Sequence, residues 1–404
     1  MTTTINNEHK KLNVPNLRFP EFQGEWKEER MADIADLYKG TGISKDQLSD
    51  DGEPCILYGE LYTKYKSETI REVVSKTNID NTKLVRSKAN DVIIPCSGET
   101  AEDIATARCV LNGNILLGGD LNIIRLHGYD GAFMSYQLNG KRKYDIAKVA
   151  QGVSVVHLYG EHLKGVKTIN PCLEEQKKIA GLLALLDERI TTQNKIIEDL
   201  KKLKSAIIEK HYCKVEKQIA CVGDLGEPFS VGNLAKDDLT ETGIPCVIYG
   251  ELFTTYGETI SQIESHTYKT EGIILSKKGD LLFPSSTTVD AMSLIAPSVI
   301  NMDGVILGGD MFGIHISPNF NAQYLSYYFN HIAKRQLAKF AKGSTIIHLH
   351  YADIEKAKLL LPSLEEQNRM AKCLVTLDDK IKKERTFFDL LNSQKAYLLC
   401  HMFI

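Results

Sequence analysis

The sequence lacks the features that define several large protein classes. It contains no run of about 18 apolar residues, and residues 1–13 have no apolar core of a signal peptide. The nine cysteines form no Cys-x-x-Cys pair, and their odd number fits reduced thiols better than a disulfide framework or a zinc knuckle. We therefore expect a soluble, cytoplasmic protein.

Catalytic signatures and a strong net charge are also missing. The chain has no G-x-G-x-x-G, G-x-x-x-x-G-K-[ST], H-E-x-x-H or G-x-S-x-G pattern, and without a Pro-Pro pair it lacks the motif of amino-methyltransferases. We therefore predict that the chain is not an enzyme and binds no metal or cofactor. Its net charge of −3 means that any contact with nucleic acid must come from local basic patches.

What the sequence does contain is the same pattern twice. Residues 52–63, GEPCILYGELYT, return as GIPCVIYGELFT at 243–254, and Pro171-Cys-Leu-Glu-Glu-Gln176 returns as Pro362-Ser-Leu-Glu-Glu-Gln367. An offset of about 190 residues is a whole domain plus a connector, far longer than a solenoid repeat. Two similar domains on one chain suggest two similar targets held at a fixed separation.

Both copies predict the same order of elements, in an α+β fold. Short apolar runs predict strands at Cys55–Tyr58, Val92–Ile94, Ile115–Leu117 and Asn122–Arg125, followed by one helix over Met134–Ala150. The second copy repeats this order and ends in a helix over Ala322–Ala341. After Pro171 and Pro362, apolar residues at alternating steps of four and three predict two long helices.

The predicted architecture is therefore two similar α+β domains joined by two long antiparallel helices, a coiled coil with a pseudo-twofold internal repeat. We expect a loose tail over 1–13, globular domains over 14–170 and 215–361, and long helices over 171–214 and 362–404.

Polar residues interrupt the apolar spacing of both long helices at equivalent positions. If the helices pair antiparallel about a pseudo-twofold axis, Lys204 lies opposite Glu384 and Gln193 lies opposite Lys395. Such pairs fix the register of a coiled coil at some cost in stability. The alternative for either lysine is a buried stem with a solvated ammonium group.

A family resemblance rests on three features. The segment LRFPEFQGEW at 17–26, the twice-used Leu-Glu-Glu-Gln helix start, and two divergent α+β domains each followed by a long helix resemble the specificity subunit of type I restriction-modification systems. The resemblance covers residues 14–404. It implies two target recognition domains, each reading half of a bipartite DNA sequence, with the helices as a ruler.

The resemblance also implies partners. These are double-stranded DNA, two adenine methyltransferase (modification) subunits, and endonuclease/translocase (restriction) subunits. S-adenosylmethionine, ATP and Mg²⁺ would belong to those partners. A duplicated protein-binding scaffold that does not read DNA is the alternative.

Candidate DNA contacts are side chains that suit base edges or phosphates. The loops after Pro95 and Pro284 differ between the copies and are candidates for contact with bases, with a solvated turn as the alternative. A second loop in each copy is also a candidate. The residues are Ser97, Glu99 and Thr100, with Tyr62, Lys64 and Tyr65, in the first copy, and Ser286, Thr287 and Thr288, with Thr255 and Tyr256, in the second.

Basic residues late in each copy are candidates for phosphate contacts, with a solvated helix face as the alternative. They are Lys141, Arg142, Lys143 and Lys148 in the first copy and Lys334, Arg335, Lys339 and Lys342 in the second.

Other repeated residues favour structural roles. Glu60 and Lys64 are spaced like a nuclease carboxylate–lysine pair, but Thr255 replaces the lysine in the second copy. His157 and His348 repeat faithfully, which favours a structural or interface role over catalysis. For the repeated Tyr58 and Tyr249 we predict packing ahead of DNA contact.

Overall fold

The fold is that of a computed structural model, which describes residues 13–80, 83–152 and 155–404. The predicted loose tail lies outside the described residues, apart from Asn13. The chain divides into two compact units: unit 1 comprises Met1–Asn194 and Thr386–Ile404, and unit 2 comprises Lys195–Arg385. Each unit holds one α+β domain with part of each long helix.

Unit 1 is built around a five-stranded sheet and a four-stranded sheet. The five-stranded order is Ala35–Lys39, Leu121–Leu126, Asp91–Pro95, Arg108–Val110 and Thr69–Ile70, antiparallel except for the last pair. The four-stranded order is Leu116–Leu117, Glu53–Ile56, Lys76–Thr77 and Leu48–Ser49. Two further pairs join Lys27–Arg30 to Lys167–Asn170 and Ser97–Gly98 to Val156–His157. The short helices are Met31–Ile34, Glu60–Thr63, Ala101–Ile104, Gly131–Asn139, Lys143–Val149 and Gly160–Leu163, with a 3₁₀ turn at Lys45–Gln47.

Unit 2 repeats this arrangement. Its first five-stranded sheet runs Gly226–Ser230, Met311–Ile316, Asp280–Pro284, Ser298–Ile300 and Thr259–Ile260. Its second sheet runs Leu239–Thr240, Ser265–Thr267, Ile244–Ile248, Ile306–Gly308 and Ile274–Leu275. Gln218–Cys221 pairs with Lys358–Leu361, and Ser286–Thr287 pairs with Ile347–His348. The short helices are Glu251–Thr254, Ala291–Leu294, Ala322–His331, Lys334–Leu337 and Tyr351–Ile354, with 3₁₀ turns at Val222–Leu225, Lys236–Asp238 and Ala338–Phe340. The predicted α+β repeat is thus confirmed.

The central strand of each unit shows why these apolar runs form buried strands. Asp91–Pro95 is buried along its whole length. Successive side chains of a strand point to opposite faces, so Val92 and Ile94 pack in one apolar cluster with Met134, while Ile93 packs in another with Ile56. Each such side chain stabilises the fold by about 1.5–3 kcal/mol when fully buried. Leu281, Leu282 and Phe283 divide between two clusters in the same way in unit 2.

The predicted helix over Met134–Ala150 is wrong in its extent. The structure has two helices there, Gly131–Asn139 and Lys143–Val149, because Gly140 ends the first and its N–H donates to the Tyr136 carbonyl (2.9 Å). The prediction for Ala322–Ala341 fails similarly, since the helix ends at His331 and a short one follows at Lys334–Leu337.

The two long helices span Leu173–Lys214 and Leu364–His401. At about 1.5 Å per residue, the first is about 63 Å long. In unit 1, Leu398 packs against a cluster that contains Ile179 and Leu183. In unit 2, Ile208 shares a cluster with Met370 and Leu374. Within each unit, therefore, the end of one helix lies against the beginning of the other, as antiparallel pairing requires.

A buried lysine joins the helices to the domain in each unit, and we call this group the lysine cluster. In unit 2, Lys204 Nζ lies 2.7 Å from Asp378 on the other helix and 3.0 Å from Glu258 in the domain. The hydroxyl group of Tyr327 donates to the same aspartate (2.6 Å). The Lys204 side chain is only 8% exposed.

Unit 1 has the equivalent lysine cluster. Lys395 Nζ lies 2.7 Å from Asp187 and 2.6 Å from Glu68, and the hydroxyl group of Tyr136 donates to Asp187 (2.8 Å). Each cluster thus links one lysine, one carboxylate from the other helix and one carboxylate from the domain.

The structure gives both register lysines partners that the sequence prediction did not name. Lys204 bonds Asp378 and Glu258, and Glu384 pairs with Lys380 on its own helix. Lys395 bonds Glu68 and Asp187. The prediction considered only the two long helices and left out the carboxylates of the domains. A buried ammonium group is stable only beside such charges.

Replacing either buried lysine with methionine should destabilise its unit. Lys395→Met or Lys204→Met leaves two partly buried carboxylates without their cation, and we expect the free energy of unfolding to fall by about 3 kcal/mol. Lys201→Met is the matched control, because its pair with Glu198 is on the surface and should change stability by less than about 1 kcal/mol. Urea unfolding measures both, and equal losses in variant and control would contradict the role of the cluster.

The unit 2 cluster should also make stability depend on acid pH. Burial raises the pKa of Glu258, but the hydrogen bond with His331 and the charge of Lys204 outweigh burial and lower the pKa to about 2. The stabilisation is therefore complete above the unfolded pKa of about 4.5 and is lost as the pH falls through about 2.

Glu258→Gln removes this titration, so its unfolding free energy should fall less steeply than that of the wild type between pH 5 and pH 2. Denaturant unfolding at several pH values measures the difference. Parallel pH profiles would show that this carboxylate does not carry the effect.

Candidate nucleic-acid interface

Both units carry an equivalent hydrogen-bonded glycine beside a short strand pair, and we call this position the glycine turn. The N–H of His157 donates to the carbonyl of Gln151 (2.7 Å), and the N–H of His348 donates to that of Lys342 (2.7 Å). Gly152 and Gly343 follow with φ of +123° and +113°. A Cβ there would lie 2.1 or 2.0 Å from the carbonyl oxygen of Val155 or Ile346, so both positions require glycine.

The repeated histidines support this turn. His157 Nδ1 lies 3.3 Å from Ser97 Oγ, and its ring stacks on Tyr159 with centroids 6.1 Å apart. His348 stacks on His350 at the same separation. These contacts agree with the structural or interface role that the sequence predicts.

In unit 1 a groove of about 600 Å³ lies beside this turn. The structure brings two candidate loops together here, because the hydroxyl group of Tyr62 donates to the Ser97 carbonyl (3.1 Å). Burial raises the pKa of Tyr62, with a smaller effect from Asp103, so the hydroxyl group remains a donor. Gly98 permits this approach, since a Cβ would lie 3.1 Å from Tyr62 Oη. The exposed lining residues are Tyr58, Thr63, Glu99, Asp103 and Val155.

The repeated tyrosines, for which the sequence predicts packing, are partly exposed. Tyr58 is 39% exposed and lines the unit 1 groove, and Tyr249 is 36% exposed. The fact that a tyrosine repeats in both copies does not show whether its side chain lies in the core or at the surface. Both are available for contact with a ligand.

The corresponding loop in unit 2 is less accessible. Ser286 is buried, and Thr287 is half-buried and accepts a hydrogen bond from the N–H of Val289 (3.2 Å). Thr288 is the exposed member of the three candidates. In unit 1, Thr100 caps a helix by accepting from the N–H of Asp103 (3.0 Å), which gives it a structural role.

The Glu60–Lys64 pair is part of the scaffold. Glu60 accepts from the N–H of Leu57 (3.0 Å), and Glu251 accepts from that of Ile248 (2.9 Å), so the carboxylate closes the same turn in both units. Lys64 Nζ lies 2.7 Å from both Glu60 and Ser75. Its ammonium group is therefore engaged within unit 1.

Two other candidates on this second loop have packing roles. Tyr65 is 8% exposed and belongs to an apolar cluster, and Tyr256 is half-buried with its hydroxyl oxygen accepting from the N–H of Glu264 (3.1 Å). Thr255 is exposed. The sequence pattern placed these aromatic residues on a loop but did not reveal that their rings fill the core.

The basic candidates of unit 1 are not equally available. Arg142 bonds Asp145 (3.3 Å) and the Ile404 carbonyl (3.2 Å), so its guanidinium group holds the fold. Lys141 and Lys148 are exposed, with Lys148 Nζ lying 4.4 Å from the ring centroid of Tyr144. Lys143 is half-buried.

In unit 2, Arg335, Lys339 and Lys342 are exposed and Lys334 is half-buried. Lys342 comes directly before Gly343 and pairs with Asp353, and both side chains line a surface groove that also includes His348. The phosphate role of these residues stays a prediction.

The described residues form neither a metal site nor a membrane-spanning helix. Within the described ranges, no group of three or more His, Cys, Asp or Glu side chains is placed to hold a metal ion. Among the helices of those same ranges, none combines the length and the apolar character needed to cross a membrane.

A family model decides the relationship of this chain to known proteins. The model of the type I restriction modification DNA specificity domain matches residues 23–202 and 214–386, which is most of the chain. The chain belongs to this family. The resemblance predicted from the sequence is confirmed, and the two matches follow the internal repeat of the specificity domain.

Two similar proteins come from Methanocaldococcus jannaschii. The type I restriction enzyme MjaVIII specificity subunit is 25% identical over 396 residues, covering 91% of this chain and 89% of that protein. The putative type I restriction enzyme MjaX specificity subunit is 21% identical over 415 residues, covering 93% and 92%.

Solved structures show the same fold. The S subunit of a type I restriction-modification system from M. genitalium has a TM-score of 0.65 at 16% identity, covering 97% of this chain and 99% of that one. A chain from a structure on complex assembly and conformational transition of the type I R-M system has a TM-score of 0.55 at 14% identity, covering 94% and 97%.

Replacing Lys141, Lys143 and Lys148 together with alanine should flatten the salt dependence of DNA binding. Each lost phosphate contact lowers the slope of log K against log salt by about 0.9. The control replaces the exposed Lys45, Lys76 and Lys88, which removes the same charge from the same unit. Fluorescence anisotropy across a salt series measures both slopes, and equal changes would assign the effect to net charge and not to this cluster.

Proposed function

We propose that this chain is the DNA sequence-specificity subunit of a type I restriction-modification complex. Its recognition domains, over 14–170 and 215–361, each read one half of a bipartite target. The long helices, over 171–214 and 362–404, act as the ruler that sets the spacing. The chain itself is non-catalytic, and the activity lies in its partner subunits.

This proposal rests on one observation: each unit repeats the same glycine position, while the loop beside it varies. Gly152 and Gly343 have similar positive φ values beside equivalent backbone hydrogen bonds in the two units, whereas the loops after Pro95 and Pro284 differ in sequence and exposure. DNA presents the same phosphates at every site but different base edges. A repeated turn suits the phosphates, and a variable polar loop suits the bases.

The remaining components are assigned by family membership. We propose double-stranded DNA, two methyltransferase subunits and endonuclease/translocase subunits as partners. We assign S-adenosylmethionine, ATP and Mg²⁺ to those partners, and place the complex in the cytoplasm. The polar character of Ser97, Glu99 and Thr288 favours DNA over the apolar surface that a protein-binding scaffold would need at these places.

The test is to map methylated adenines in cells that express this chain with its cognate methyltransferase subunit. Cells with the methyltransferase alone are the control. We expect a new bipartite methylated motif with a fixed spacer, because each recognition domain contributes one half-site. Long-read sequencing detects it directly.

No new motif, in cells where purification shows that the complex assembles, would contradict the proposal. That result would favour the duplicated protein-binding scaffold.

A further inference from the structure

One acidic side chain in the unit 1 groove is free to bind a ligand. Glu99 is exposed, and among the described residues its carboxylate has no hydrogen-bond or ion-pair partner. Its neighbours are engaged: Ser97 Oγ lies beside His157, and Asp103 accepts from the hydroxyl group of Thr100 (2.6 Å). Glu99 therefore presents an unsatisfied acceptor at the edge of this groove.

The charge of the groove restricts what Glu99 can contact on DNA. No lysine or arginine occurs among the described residues that line it. A phosphate group would be repelled by the carboxylate, so the contact must be a hydrogen-bond donor on a base edge. In the major groove those donors are the exocyclic amino groups of cytosine and adenine.

Cytosine fits a carboxylate better than adenine does. Adenine carries the N7 acceptor next to its amino group, and this lone pair would face the second carboxylate oxygen. Cytosine has a C–H group at the neighbouring position and presents no such acceptor. A carboxylate therefore favours the N4 amino group of cytosine.

We propose that Glu99 accepts a hydrogen bond from the N4 amino group of a cytosine in the half-site read by unit 1. This inference rests on the proposed function and names one base contact within it. The equivalent loop of unit 2 exposes Thr288, whose hydroxyl group both donates and accepts. The two units therefore differ in base preference at this position.

Tyr62 is a positioning residue for this contact. Its hydroxyl group holds the Ser97 carbonyl, two residues before Glu99, and Phe253 occupies the equivalent position in unit 2 without a hydroxyl group. Tyr62→Phe removes this hydrogen bond and should therefore make the loop that carries Glu99 less rigid. Unit 2 folds with phenylalanine at this position, so the variant should still fold. We expect weaker discrimination at the cytosine position with the rest of the half-site retained.

The main test is Glu99→Gln, with the methylated motif mapped as for the wild type. An amide both donates and accepts, and glutamine suits the N6 and N7 atoms of adenine. We expect one cytosine position in one half-site to relax to cytosine or adenine, with the other half-site unchanged. Binding of the purified complex should show discrimination at that base pair reduced about tenfold or more.

Thr288→Ala is the matched control in unit 2, and it should leave the half-site read by unit 1 unchanged. Thermal melting checks that both variants fold, which is expected because both side chains are exposed. A wild-type motif that Glu99→Gln leaves unchanged, or that changes at a base pair without cytosine, overturns this inference alone. A wild type that directs no motif overturns the proposed function as well.

Discussion

The lysine cluster is the interaction on which the arrangement of each unit depends. Removing two carboxylates and an ammonium group from water costs several kcal/mol per ion, and only close, hydrogen-bonded partners offset that cost. Lys395 obtains one partner from the other helix and one from the domain, as Lys204 does in unit 2. The cluster therefore holds three elements in one relative position, since displacing any of them leaves a buried charge unpaired.

The domain carboxylate is itself held in place by the sheet. The carbonyl of Glu68 accepts from the N–H of Cys109 and from the hydroxyl group of Ser135 (2.9 Å), so its backbone is tied to the sheet and to the helix that covers it. The carbonyl of Glu258 accepts from Val299 and Ser326 in the same way. A continuous chain of hydrogen bonds thus runs from the central sheet of each unit to its long helices.

The sequence predicted most of the fold because its signals are local. Apolar runs such as Asp91–Pro95 and the seven-residue spacing of the long helices need no knowledge of distant residues. The predictions failed where one residue outweighed a pattern. Gly140 ended a helix that its apolar spacing would have continued, and the domain glutamates, remote in sequence, selected the partners of Lys204 and Lys395.

The candidate site was harder to predict for the same reason. Residue type identified Tyr62 and Ser97 as candidates, but only the fold shows that they touch. Residue type also selected Lys64, Tyr65 and Arg142. In the structure their polar groups form hydrogen bonds within the protein, with Ser75, Val74 and Ile404 in that order. A side chain that suits DNA equally suits the interior, and which role it takes depends on distant partners.

The position of the variable loop allows the same backbone arrangement to carry a different surface in each unit. In each unit the loop leaves a central strand that is buried along its length, Asp91–Pro95 or Asp280–Pro284. That strand is held on both sides by neighbouring strands, and the first residues after its proline are still buried, whereas Glu99 and Thr288 further along the loop are exposed. Substitutions at these exposed positions can therefore change the surface of the loop while the sheet and the lysine cluster keep their stability. The glycine turn beside it has no such freedom, because any side chain at Gly152 or Gly343 would collide with a carbonyl group.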